Sequence, residues 1–119
     1  MIIITTQCFA PKIGGIESLM TGMAEAMAKR GIEVLVLADG KTHETDHKQK
    51  YKIKRFTGWK PLRRLAKAQY VEKICGSKNV KAIYADSWKS IEYLKKYNKK
   101  ILVLAHGTDI PKQYWTIML

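Results

Sequence analysis

Two adjacent glycines, Gly14 and Gly15, stand directly before a segment with the hydrophobic spacing of a helix. The free N–H groups and positive dipole end of a helix N-terminus bind anions, and glycine has no β-carbon to block a ligand. This pattern predicts a phosphate- or carboxylate-binding loop. The glycines would equally suit a turn that needs positive φ for its own backbone. The spacing matches neither G-x-G-x-x-G nor G-x-x-x-x-G-K-[ST], which excludes the usual dinucleotide and P-loop motifs.

Positive charge is concentrated in the middle of the chain. The whole sequence has 22 Lys and Arg against 10 Asp and Glu, a net charge of +12, and residues 41–67 alone hold ten basic and two acidic residues. Such a patch attracts phosphate, nucleic acid or anionic lipid. The predicted membrane- or anion-binding patch consists of Lys50, Lys52, Lys54, Arg55, Trp59, Lys60, Arg63, Arg64 and Lys67.

Three interpretations of this patch remain open. Tyr51, Phe56 and Trp59 lie among the cations, and this mixture is typical of proteins that rest on anionic lipid. The same residues could form an ordinary solvated basic face. Nucleic-acid binding would use the charge and aromatic stacking, but the sequence contains no recognised base-reading motif, so a specific nucleic-acid partner is not expected.

The elements that must position these residues alternate between strand and helix. Strands are predicted at residues 1–5, 34–38, 51–56, 82–85 and 101–105. A first helix runs from Ile16 to Arg30, with Gly31 as its C-cap, and a third is capped by Asp86 or Ser87 and continues to about residue 97.

A second helix is predicted to begin near Pro61 and to end at Gly76. Its apolar stripe is expected on the side opposite Arg63, Arg64 and Lys67, so that these basic residues face solvent. The residues of the stripe are Leu62, Leu65, Ala68, Val71 and Ile74.

This order of elements predicts one α/β domain over residues 1–119, with a doubly wound, mainly parallel, Rossmann-like sheet. Its ligands are expected outside the C-terminal ends of the strands, where the loops after strands one, four and five gather. Cys8 and Cys75 stand alone, which indicates neither a zinc site nor a disulfide framework and favours the cytoplasm. No apolar run approaches the ~20 residues that span a bilayer.

A longer pattern resembles a known family. Phe9-x-Pro11-x-x-Gly14-Gly15-Ile16-Glu17, then Ala24, Ala28, Arg30-Gly31 and Glu33-Val34-x-Val36, is similar to the N-terminal signature of glycosyltransferase family 4 and its GT-B relatives. His106-Gly107-Thr108-Asp109 is similar to the histidine loop of that family. The resemblance implies the N-terminal half of a GT-B architecture, C-terminally incomplete because the family's donor-binding domain is absent from these 119 residues.

The resemblance also implies roles for individual residues. It places the backbone of Gly14 and Gly15 beside the donor phosphates or the acceptor, and His106 near the transferred sugar as the catalytic residue. Glu17 and Asp109 become candidates for substrate binding. Simpler roles remain open: His106 could bond a neighbouring carbonyl, Glu17 could complement the helix dipole, and Asp109 could cap a following helix.

The implied function is sugar transfer with retention, from a nucleotide-sugar donor to a glycan or lipid-linked acceptor, without a bound metal or other cofactor. Cell-envelope glycan biosynthesis, in the cytoplasm or peripherally on the inner face of the membrane, is the implied setting. This chain alone is expected to be inactive unless a separate chain supplies the C-terminal domain. The alternative function is a Rossmann-like module that binds nucleic acid or an anionic membrane without catalysis.

Overall fold

The computed structural model describes residues 1–7, 9, 15–87, 90, 91, 93 and 100–103. In these ranges, the strands and helices occur in the order that the sequence predicts. The elements are β1 (Ile2–Thr6), α1 (Gly15–Lys29), β2 (Val34–Asp39), β3 (Lys52–Phe56), α2 (Lys60–Ser77), β4 (Ala82–Ala85) and β5 (Lys100–Val103), with a 3-10 turn at Asp46–Lys48.

The five strands form one sheet in the order β3-β2-β1-β4-β5, and every neighbouring pair is parallel. The predicted Rossmann-like sheet is therefore confirmed. The direction of winding reverses between β1 and β4, which makes the space outside their C-terminal ends the topological switch point. The ends of β1, β4 and β5 adjoin one another there.

The two described α-helices cover opposite faces of the sheet, which confirms the doubly wound arrangement. On one face, Met20 and Ala24 of α1 pack in a buried cluster with Ile4 of β1. On the other, Val71 of α2 packs with Ile3 of β1. The central strand is thus buried on both sides, as its unbroken apolar sequence requires.

The end of α1 is confirmed as a glycine cap. Gly31 has a φ of +81°, a conformation that glycine adopts without a steric penalty. The N–H of Gly31 donates to the Ala28 carbonyl at 3.0 Å and the N–H of Ile32 to the Met27 carbonyl at 3.1 Å. These two bonds form a Schellman motif, which satisfies the last carbonyls of the helix. Helix α2, by contrast, continues through Gly76 to Ser77.

The prediction for the buried face of α2 is wrong in its first two turns. Leu62 and Leu65 are 60% and 37% exposed, whereas Lys67 is 3% exposed. Lys67 precedes Val71 by four residues and therefore shares its face of the helix. Its ammonium group can be buried because the Thr6 carbonyl at the end of β1 and the Asp39 carboxylate at the end of β2 accept its hydrogen bonds.

The third predicted helix, from residue 86 or 87 to about 97, lies largely outside the described residues. Asp86, at its predicted start, is 3% exposed, and its carboxylate accepts hydrogen bonds from the end of β1 as well as from Ser90. Asp86 therefore joins β4 to β1. Among the described helices, none has the length and apolar character needed to cross a membrane.

Candidate functional site: the crevice at the switch point

The end of β1 is tied to the residue that follows β4. The hydroxyl of Thr6 donates to Oδ2 of Asp86 at 3.0 Å, and the backbone N–H of Gln7 donates to the same oxygen at 2.9 Å. The N–H of Asp86 in turn donates to the carbonyl of Thr5 at 3.2 Å. Parallel strands bring these residues together because their C-terminal ends lie at one edge of the sheet.

Lys67 reaches the same edge from α2. Its Nζ lies 2.7 Å from the backbone carbonyl oxygen of Thr6 and 2.7 Å from Oδ1 of Asp39, the last residue of β2. Nε of Arg63, one turn earlier on α2, lies 3.1 Å from Oδ2 of Asp39. One carboxylate thus holds two cations of α2 against the C-terminal ends of β1 and β2.

The charges in this cluster compensate one another. Burial lowers the pKa of Lys67, and the hydrogen bond from its ammonium group to Asp39 opposes that shift. The carboxylate of Asp86 also raises the Lys67 pKa through its negative charge. The switch point is therefore a paired set of ionic side chains, two acidic and two basic, at the base of the crevice.

Gly15 is the first residue of α1, at the positive end of the helix dipole. Positive φ occurs among the described glycines at Gly31, Gly40 and Gly58, so Gly15 does not need it. A β-carbon built at Gly15 would meet no atom of the described residues within 4 Å, and the same is true of Gly22 in the middle of α1. Among the described residues, no neighbouring side chain therefore prevents a ligand from approaching Gly15.

Phe9 anchors the segment between β1 and α1. We call residues 7–14 the glycine loop. Phe9 is 2% exposed, and its ring meets that of Tyr51 edge to face with the centroids 6.1 Å apart. Burial, with a contribution from the Glu25 carboxylate, raises the pKa of Tyr51 to about 12. Gln7 is therefore held by Asp86, and Phe9 is held by the core.

The other predicted site residues are only partly described. Glu17 lies in the first turn of α1, where it is half-buried and complements the helix dipole. Gly14, His106 and Asp109 lie outside the described residues, so their predicted roles stay predictions.

The predicted basic patch does not form one surface. Arg55 is paired with Asp46, and the two side chains are 5% and 8% exposed. Lys67 and Arg63 are paired with Asp39. These three cations therefore do not contribute to an open cationic face, whereas Lys50, Lys52 and Lys54 line an open groove along the edge strand β3.

The start of α2 provides a second exposed area. Trp59 is 71% exposed and Leu62 60%, and Lys60 beside them is also exposed. Arg64 is half-buried. Large apolar side chains next to cations form an amphipathic surface, which we call the Trp59 surface; it consists of Trp59, Lys60, Leu62 and Leu65.

Sequence reasoning did not find the ionic cluster at the switch point. Asp39 and Asp86 each stand at the C-terminal end of a strand, and this shared position is the feature of the sequence that could have indicated that they lie at one edge of the sheet. Lys67 stands four residues before the buried Val71, which indicates the same helix face. The sequence does not distinguish Lys67 from the other lysines, because the burial of Lys67 depends on partners from β1 and β2.

A Rossmann-like parallel sheet with its topological switch point between β1 and β4 is typical of domains that bind their ligands at the C-terminal strand ends. Residues 13–119 match the family model Glycosyltransferase Family 4, and the chain belongs to that family. No curated protein matches the sequence. The family membership confirms the resemblance read from the Phe9 to Val36 pattern, and with it a glycosyltransferase class for the domain.

Proposed function

We propose that this chain is the acceptor-side domain of a retaining glycosyltransferase. It acts in the transfer of a sugar from a nucleotide-sugar to a glycan or lipid-linked acceptor, together with a donor-binding domain. The backbone at Gly14 and Gly15 faces the donor phosphates or the acceptor, with Glu17 and Asp109 as further substrate contacts. His106 lies near the transferred sugar, and the reaction uses no bound metal.

The observation that carries this proposal is the unused space at Gly15. The φ of Gly15 is ordinary and a β-carbon there would meet nothing within 4 Å among the described residues, so this end of α1 is open to a ligand. A ligand that approaches the first N–H groups of α1 does need that space. Oriented N–H groups stabilise the negative charge that a leaving diphosphate develops, which suits sugar transfer.

A buried hydrogen-bond donor at the end of β1 gives additional support to the proposed binding site. Nε2 of Gln7 is buried, and no hydrogen-bond partner for it is found among the residues the structure describes. A buried polar group without a partner is uncommon, and at a binding edge it is suited to a ligand oxygen or an ordered water. Gln7 follows β1 directly, at the switch point.

The test is a matched pair of glycine substitutions on α1. Gly15→Ala adds a β-carbon at the proposed ligand position, whereas Gly22→Ala adds the same atom at an exposed position with equally open space. Ligand binding is followed by the backbone NMR shifts of the chain during titration with UDP-glucose, GDP-mannose and a short-chain polyprenyl phosphate.

We expect Gly15→Ala to weaken binding of the ligand that the parent chain takes by at least tenfold, with Gly22→Ala unchanged. The free energy of unfolding should not fall in either variant. Equal binding by the parent and Gly15→Ala would contradict the proposed ligand position. Absence of binding by the parent to all three compounds would contradict the proposal that the first turn of α1 binds a substrate in this chain.

The Trp59 surface supports a second proposal, that the domain rests on an anionic membrane. Trp59 and Leu62 are exposed beside Lys60, so an acidic bilayer can take up the apolar rings and methyl groups while it attracts the cation. A lipid-linked acceptor would lie in that same bilayer. Peripheral attachment on the inner face of the membrane in the cytoplasm is therefore part of this second proposal.

Vesicle flotation tests this second proposal. The chain should float with vesicles of phosphatidylserine and phosphatidylcholine and not with phosphatidylcholine alone. Leu62→Ser should reduce binding at least fivefold, whereas Leu19→Ser, which alters a leucine that is 45% exposed on α1, should not. A short DNA duplex is the competitor. Binding of DNA with no binding of acidic vesicles would favour the groove along β3 and the nucleic-acid alternative.

A further inference from the structure

We propose that Lys67 and Asp86 are positioning residues that fix the direction in which the glycine loop leaves β1. The carbonyl of Thr6 and the N–H of Gln7 belong to one peptide group. The carbonyl accepts a hydrogen bond from Nζ of Lys67 at 2.7 Å, and the N–H donates to Oδ2 of Asp86 at 2.9 Å. Opposite charges thus hold the two ends of this peptide.

A planar peptide group bonded at both ends has a fixed orientation. The two hydrogen bonds therefore constrain ψ of Thr6 and φ of Gln7, the dihedral angles that set the course of the chain beyond β1. The hydroxyl of Thr6, which is fully buried, donates to Asp86 as well. This third bond keeps the carboxylate in place beneath the peptide.

The use of charged groups for this purpose requires an explanation, because both Lys67 and Asp86 are 3% exposed. Burying ions costs free energy that their mutual attraction often does not offset, and an apolar pair would fill the same volume without that cost. Charge-assisted hydrogen bonds are, however, about twice as strong as neutral ones and are directional. Orientation of the Thr6–Gln7 peptide is the property that these charges provide and apolar side chains would not.

The orientation matters for the site because it sets where the glycine loop begins. Gln7 is held at one point and Phe9 is held in the core, and α1 starts at Gly15. A shift of about 1 Å in groups that contact a reacting ligand can lower the rate roughly a hundredfold. This consequence rests on the proposed function, whereas the orientation itself is measurable on the free chain.

The test uses the backbone amide of Gln7 as a local probe. Lys67→Met removes the donor to Thr6, and Asp86→Ala removes the acceptor for Gln7. Asp86→Asn is the conservative variant, since its side-chain oxygen can still accept the hydrogen bond. Lys73→Met is the matched control, because it makes the same substitution at an exposed position of α2.

We expect hydrogen exchange at Gln7 to be at least tenfold faster in Lys67→Met and Asp86→Ala, with a changed amide proton shift. The amide of Val36, in the centre of β2, should keep its parent exchange rate. Asp86→Asn should restore most of the protection at Gln7, and Lys73→Met should behave like the parent. This pattern distinguishes orientation from a general loss of stability, which would accelerate exchange throughout the sheet.

Parent-like exchange and shift at Gln7 in Lys67→Met would overturn the proposal, and this variant decides it if Asp86→Ala does not fold. For ligand binding, UDP-glucose and GDP-mannose are titrated against the same chains. Unchanged binding in variants whose Gln7 amide is altered would overturn the link between orientation and the site. If the parent binds neither compound, the proposed position of the donor phosphates at α1 is contradicted, while the Gln7 measurement still decides the positioning role.

Discussion

Arg55 of β3 and Asp46 of the preceding 3-10 turn form a buried ion pair with two hydrogen bonds. Nε of Arg55 donates to Oδ2 of Asp46 at 2.7 Å, and Nη2 donates to Oδ1 at 2.9 Å. The same carboxylate accepts the backbone N–H of His43 at 3.1 Å. The long connection between β2 and β3 is thereby attached to the edge strand of the sheet.

Removal of one member of this pair should be costly. We expect Arg55→Met to lower the free energy of unfolding by about 3–5 kcal/mol, because it leaves the Asp46 carboxylate buried without its main partner. Urea unfolding followed by circular dichroism gives the value. The double variant Asp46→Leu/Arg55→Met should regain part of the loss, since it leaves no buried charge. A double variant less stable than Arg55→Met would contradict this explanation.

The Asp46 pair should also make stability depend on pH. The hydrogen bond from Arg55 lowers the pKa of Asp46 below its ordinary value, against the opposing effect of burial. The unfolded chain therefore takes up a proton at a higher pH than the folded chain. The stability this group contributes is fully present above the unfolded pKa of about 3.9 and is lost as pH falls through the folded pKa.

The measurement is the free energy of unfolding as a function of pH, from 7 down to the acid limit, for the parent and for Asp46→Asn. The parent should lose more stability on acidification than the variant, since the variant has no carboxyl group to titrate at this position. Parallel curves for the two chains would show that Asp46 has the same pKa in the folded and unfolded states.

The sequence predicted the architecture well because the sheet depends on local patterns. Continuous apolar runs such as 34–38 identified buried parallel strands, and the change to three- and four-residue spacing after Gly15 identified α1. The parallel, doubly wound arrangement followed from the alternation of strands and helices. Every described strand lies within one or two residues of its predicted place.

The ionic cluster at the crevice was missed for a physical reason. Hydrophobic periodicity predicts that Leu62 and Leu65 are buried and that Lys67 is exposed. This rule fails where oxygen atoms inside the fold accept hydrogen bonds from the ammonium group of a buried lysine. Those partners, the Thr6 carbonyl and the Asp39 carboxylate, are 61 and 28 residues away along the chain. Contacts between residues so far apart in the sequence form only when the sheet is assembled, so no local sequence pattern predicts them.

The two glycines at the ends of the described α-helices should respond in opposite ways to alanine. At Gly31, φ is +81°, so Gly31→Ala places a β-carbon in the left-handed region and should cost about 1–2 kcal/mol of unfolding free energy. Gly76 lies within α2 without positive φ, and a β-carbon there would meet nothing within 4 Å. Gly76→Ala should therefore stabilise the chain by up to about 1 kcal/mol.

Thermal unfolding of the two variants beside the parent provides the comparison. The melting temperature should fall for Gly31→Ala and rise for Gly76→Ala. A fall in both would mean that alanine disturbs a contact of Gly76 outside the helix, in disagreement with the open space around it.

Phe9 should be sensitive to substitution. Its ring is 2% exposed and belongs to the cluster beneath α1, so Phe9→Ala should lower the free energy of unfolding by about 3–5 kcal/mol. Phe9→Leu keeps most of the apolar volume and should cost less.

Tyr51→Phe keeps the ring that Phe9 contacts, whereas Tyr51→Leu removes it. A double-mutant cycle between Phe9→Leu and Tyr51→Leu should give a coupling of about 0.5–1.5 kcal/mol, the range for an edge-to-face aromatic pair. Zero coupling would mean that Phe9 is held by the aliphatic residues of the cluster alone. With zero coupling, we expect ligand binding to be unchanged in Phe9→Leu. With a coupling in the expected range, we expect ligand binding to weaken in Phe9→Leu and to keep the parent value in Tyr51→Phe.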